Sequence, residues 1–176
     1  MATPTNLPAS FSTAQILTAA QQNALRGAFR ILQVVSTSDR TARTTTSDYP
    51  VTSGMTVTIT PQSSSSLIFL LASISFNATG GTNTNKIILT GMSVGVGSVT
   101  PIYDTRMSAS SISADWFFHG NMSLLHSPAS TATQTYNILY GRYSSGFDNT
   151  VRINTASMPG ATAEARSTFT AFEISA

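Results

Sequence analysis

Beyond residue 28 the chain is a succession of short segments in which apolar residues either alternate with polar ones or run together for a few positions, and this pattern holds to the C-terminus. Alternate residues of a strand face opposite sides of its sheet, so a period of two permits strands and excludes amphipathic helices. The clearest case is Met55, Val57 and Ile59 alternating with Thr56, Thr58 and Thr60, which sends three apolar side chains to one face and three hydroxyls to the other. Strands are predicted over 29–35, 51–60, 67–76, 86–96, 101–107, 112–125, 133–143, 150–154 and 167–175. Loops rich in Gly, Pro, Ser and Asn separate them at 61–65, 80–85, 126–132, 144–149 and 159–165. Eight or nine strands at this spacing predict an all-β fold, a jelly-roll-like β-sandwich with a single core. Val57, Ile59, Ile68, Leu70, Phe172 and Ile174 are its expected core members. No repeat of roughly 20 to 50 residues marks a solenoid or propeller.

Only residues 12–27 depart from this pattern. Ser12 and Gln15 fit a capping box, Ile16, Leu17, Ala20, Ala24 and Leu25 recur at helical spacing, and Gly27 is a stop. The chain therefore divides into an N-terminal arm and helix, residues 1–28, and a sandwich domain, residues 29–176. A helix this short is marginal alone, so its stripe must bury against something. The candidates are its own sandwich, its symmetry mates in an oligomer, or an attachment surface, where Leu7 and Phe11 of the preceding coil would join Ile16, Leu17 and Leu25. Such a helix adds roughly 20 Å of reach, and the dozen residues before it at most about 40 Å when extended. Those are the dimensions of an anchor and not of a shaft.

Composition narrows the function. Charged residues make up 9% of the chain, against roughly 25% in ordinary soluble domains. The 26 Ser and 27 Thr must carry the hydration that charges usually provide. A net charge of +2, with Lys86 as the single lysine, supplies no basic field for a nucleic-acid backbone. The absence of cysteine excludes disulfides, thiolate zinc sites and cysteine nucleophiles. Residues 1–12 lack the basic and apolar regions of a signal peptide. The most apolar run, 67–76, is too short for the roughly 20 residues of a membrane-spanning helix, so no membrane insertion is expected.

An enzyme needs titratable groups brought together, and this chain has two His, five Asp and two Glu scattered along it. Asp115 and His119 fall on one strand face, and His126 falls on the other because seven is odd, so the three do not converge on a metal. Asp104 and Asp115 are the carboxylates nearest apolar strands, a thin basis for a glycosidase pair. Gly91, Gly95 and Gly97 lack the following helix that a phosphate loop requires and instead mark close approach of sheets or subunits. The sequons at Asn77 and Asn121 are matches that a Ser- and Thr-rich chain produces by chance. No catalytic, cofactor or metal residues are assigned. Trp116, Phe117 and Phe118 form the most aromatic point, with Trp116 and Phe118 on one face and Phe117 on the other, and Trp116 is the candidate for stacking on a glycan.

Four blocks carry a family resemblance: GAFRILQVV at 27–35, VTITPQSSSSLIFLLASISF at 57–76, LLHSPASTATQTYNI at 124–138 and FTAFEI at 169–174. Together with the leader LPASFSTAQILTAAQQNALRGAFR they resemble a β-sandwich domain of tailed bacteriophages of aquatic bacteria, cyanophages included. That domain occurs at tail-fibre and tailspike tips and in small capsid surface proteins. Two departures stand out: Ser66 leads directly into Leu67 where the family has a Lys, and His126 replaces an acidic residue. The resemblance implies a homotrimer, a non-enzymatic virion role and no cofactor. Combined with the short arm, it points to a cement or decoration protein on the outer capsid, partnered by the major capsid protein, with host surface glycan as a further candidate contact. The alternative is the receptor-binding distal domain of a tail fibre or tailspike, partnered by fibre or baseplate proteins.

Overall fold

A computed structural model describes residues 30–80, 86–96, 100–109, 115–143, 149–155 and 165–175. Its strands are β1 Ile31–Asp39, β2 Arg43–Thr45, β3 Val51–Ile59, β4 Leu67–Thr79, β5 Lys86–Val94, β6 Thr100–Ala109, β7 Trp116–His126, β8 Gln134–Arg142, β9 Thr150–Ile153 and β10 Ser167–Ile174. The all-β class stands, with one strand more than the upper expectation. The addition is β2, three residues without an apolar side chain, held by main-chain pairing to β9 (Arg43 to Ile153, Thr45 to Val151). A strand made by backbone bonds alone leaves no hydrophobic period to read. The predicted helix and arm at 1–28 lie outside the described residues.

The antiparallel pairs β1·β10, β3·β8, β4·β7 and β5·β6 are nested in sequence, so the chain is one long hairpin whose tip is the connection from β5 to β6. Pairing of β4 with β10 and of β5 with β8 rolls that hairpin into two sheets. The six-stranded sheet runs β1-β10-β4-β9-β2 with β7 also on β4, and the four-stranded sheet runs β3-β8-β5-β6. This is jelly-roll wrapping, two sheets made from one folded ribbon.

The core lies between the sheets. Met55, Val57 and Ile59 of β3 are buried as the alternation requires, and they face Ile68, Leu70, Ala72, Ile74, Phe76 and Ala78 of β4. Thr58 and Thr60 point outward and meet Thr135 and Thr133 at 3.2 and 2.9 Å, so hydroxyl pairs cover that part of the outer surface. One expectation is overturned. Phe172 and Ile174 are not core residues; the buried face of β10 carries Ser167, Phe169, Ala171 and Glu173. FTAFEI has apolar residues at both parities, and ordinary hydrophobicity would put the Glu outside, whereas its carboxylate here has partners inside.

Gly91 is explained within one sheet. A Cβ there would lie 2.3 Å from the Tyr103 carbonyl oxygen of the paired strand β6, so only glycine permits this backbone approach. Truncating Leu70 or Phe169 to Ala is expected to cost about 2 to 5 kcal/mol. Thr56→Ala, at an exposed position of β3, is expected to cost much less in the same denaturant titrations.

Candidate interaction surface

Directly paired residues in an antiparallel sheet point to the same side, so the registers define the outer face of the six-stranded sheet row by row. One row is Val34, Phe172, Phe69 and Leu125, across β1, β10, β4 and β7. Toward the start of β1 lies the row of Ile31, Ile174 and Leu67, and on the other side the row of Ser36, Thr170, Leu71 and Ser123. Next come Ser38, Thr168, Ser73 and Asn121. Ile31 and Val34 are three apart and would face opposite sides of a regular strand, but a bulge between Ile31 and Gln33 brings both to the outer face.

This face is apolar at one end and polar at the other. Ile31, Val34 and Leu125 are more than half exposed, Leu71 is 42% exposed, and the Phe69 and Phe172 rings lie 6.0 Å apart between them. Across these four rows no side chain is charged. At the polar end the Ser36 and Thr170 hydroxyls are 2.9 Å apart, and Ser73 Oγ lies 2.7 Å from His119 Nε2 and donates to Asn121 Oδ1 at 2.8 Å. Further along, Ser75, Phe117, Phe118 and His119 line an open depression of about 210 Å³. An apolar patch on a solvent-facing sheet is the usual mark of a contact surface.

Beneath the apolar end sits a buried carboxylate. Glu173 is fully buried; its Oε2 accepts from Gln33 Nε2 and its Oε1 from the Gln62 backbone N–H, both at 2.6 Å. Burial pushes this carboxyl up, but the Ser66 hydroxyl, the Gln33 amide and the Gln62 and Ser63 backbone outweigh that effect and hold it below the usual Glu range. Gln33 Nε2 also donates to the Thr60 carbonyl at 2.6 Å, tying β1 to the end of β3 across the sandwich. Nothing in the sequence marks this cluster except a Glu within an apolar strand.

The residues singled out by sequence are dispersed. Trp116 and Phe118 point inward and Phe117 outward, as parity requires. Trp116 is half-buried and stacks on Phe118 with centroids 4.4 Å apart, and Phe118 stacks on Phe76 at 5.2 Å, so one face of the indole is committed to the edge of the core. His126 turns inward, its Nδ1 lying 2.9 Å from the Tyr136 hydroxyl. Burial lowers the His126 pKa and pushes Tyr136 up to about 12, so both rings are held in their uncharged forms across this hydrogen bond. His119 faces the opposite side of β7, bonded to Ser73, and Asp115 precedes β7. Asp104 lies on β6, in the other sheet from β7. Among the described residues no group of three or more His, Asp or Glu is placed to hold a metal. Asn77 is buried, with its amide donating to the Trp116 carbonyl at 3.4 Å, whereas Asn121 is exposed. Leu7, Phe11, Ile16, Leu17 and Leu25 lie outside the described residues, as does Gly97.

No protein-family model and no curated protein sequence matches the chain. Among solved structures, the infectious bursal disease virus VP2 subviral particle is similar over 82% of this chain at 12% identity and a TM-score of 0.27. The chain spans 38% of the length of that protein. The jelly-roll assignment rests on the strand pairing itself.

Glu173 gives the fold an acid limit. A carboxyl held below its unfolded value contributes stability that is complete above about pH 4.3 and is lost as pH falls through the folded value. Thermal melts of Glu173→Gln are expected to show lower stability at neutral pH and a shallower decline than the parent on acidification below that point.

Proposed function

We propose that this chain is a structural protein of a virus particle, a homotrimeric cement or decoration protein on the outer capsid that acts by being bound and not by catalysis. The observation that carries this reading is the outer face of the six-stranded sheet, where four rows across β1, β10, β4 and β7 carry no charged side chain and end in an apolar patch, on a sandwich whose described titratable side chains are dispersed or tied into structural hydrogen bonds. A jelly roll bonded along nearly all its strands is a rigid block suited to clamping neighbours, and a surface poor in charge is less costly to bury against them. The resemblance of the four sequence blocks supports the trimer and the virion setting. In this reading the coil before residue 12, with Leu7 and Phe11, grips the shell.

Light scattering at micromolar protein is expected to give about three times 18.5 kDa; a stable monomer overturns the trimer. Deleting residues 1–11 is expected to weaken rebinding to particles depleted of the protein, and undiminished binding would move the attachment to the sandwich. Copy number separates this role from a fibre tip, because decoration takes hundreds of copies per particle and a fibre takes few.

A further inference from the structure

The apolar end of the outer face has a natural occupant in the chain that leads into it. Arg30 is fixed at its corner: its backbone N–H donates to Ser175 Oγ and its carbonyl accepts from the Ser175 N–H, both at 2.9 Å. The preceding segment therefore departs beside Ile31 and Ile174. That segment contains residues 12–27, whose sequence is amphipathic, joined to Arg30 by residues 28 and 29 after the Gly27 stop.

Dimensions discriminate between occupants. The stripe from Ile16 to Leu25 measures about 14 Å along a helix. The patch measures about 14 Å across four strands and about 13 Å from Leu67 to Leu71 along β4, so one helix roughly 10 Å wide covers it. A separate copy resting on the same patch would bury far less than the roughly 800 Å² per partner of a stable association. A tethered helix needs much less area, because its effective concentration is in the millimolar range. The bulge in β1 fits this role, since it adds Ile31 to the patch at the point where the chain arrives.

We propose that residues 12–27 form a helix that docks on the apolar end of the six-stranded sheet of its own chain, giving the sandwich a third layer. Ile16, Leu17, Ala20 and Leu25 then face Val34, Leu71, Leu125 and Phe172, Leu7 and Phe11 are left to the coil beyond, and the uncharged polar row of Ser38, Thr168, Ser73 and Asn121 stays open to the neighbours that the proposed function requires.

The natural chain has no cysteine, which allows a direct test in the full-length protein. Ala20→Cys combined with Leu71→Cys and treated with a short bismaleimide is expected to yield a link within one chain, running as a monomer on a denaturing gel. The pair of Gln22→Cys, on the opposite helical face, with Leu71→Cys is expected to link far less. Leu17→Glu and Leu125→Glu are each expected to lower the melting temperature, with a double-variant loss smaller than the sum of the two, and Gln22→Glu to leave it unchanged. Absence of the link in the folded protein, a link between chains, or additive losses would each overturn the docking. Light scattering on the same samples keeps the readings apart: a link within chains at monomer mass retains the docking and removes the trimer, while a link between chains at trimer mass does the reverse.

Discussion

The rest of the structure depends on β4 being hydrogen-bonded along both edges. One edge pairs with β7 from Ile68 to Ala78. The other pairs with β10 from Leu67 to Ser73 and then with β9 from Phe76 to Thr79. At the changeover the ladder would leave bare backbone groups in the interior, where each costs as much as a lost hydrogen bond. The polar residues there fill the gap. Ser167 Oγ accepts from the Ser75 N–H at 3.1 Å and donates to Asn154 Oδ1; the Asn154 N–H reaches the Ser75 carbonyl at 3.1 Å; and Asn154 Nδ2 reaches the Thr41 carbonyl at 3.2 Å. Asn154 takes a φ of 59°, a left-handed conformation that asparagine tolerates.

Thr41 belongs to the outermost ribbon, which breaks at the same level, between β1 and β2. There the Thr41 N–H donates to Asp39 Oδ1 at 2.8 Å, and Arg43 closes an ion pair on the same carboxylate. Burial pushes Asp39 up, and the Thr41 backbone bond with Arg43 brings it below the usual range. The two breaks are joined, so four strands, β1, β2, β9 and β10, behave as two long ribbons beside β4. With its strand edges tied in this way, the sandwich presents its outer face as a well-braced surface. Function in this reading comes from that bracing and from what covers the face.

Much of the architecture was legible in the residues. The alternation at Met55, Val57 and Ile59 set both the class and the buried face of β3, and parity separated Phe117 from Trp116 and Phe118, leaving the structure to show which side faces inward. Burial on a strand is decided locally when polar and apolar residues strictly alternate. Where both parities are apolar, as at 169–174, local pattern leaves the side undecided. Parity also showed that His119 and His126 cannot converge. The candidate surface was not legible, because it comprises residues from four strands distant in sequence and a bulge that overrides the period of two.

Residue pattern and composition are enough to give strands around one core, a surface on which hydroxyls replace charges, and a segment at 12–27 that differs in kind from the rest. Tertiary structure alone decided which apolar residues are interior. Phe172 and Ile174 lie outside because Glu173 finds Gln33 and the Gln62 backbone within, and Ile31 joins Val34 because the strand bulges. The physical reason is that period and propensity act over a few residues, whereas burial of a polar group depends on donors supplied by other strands.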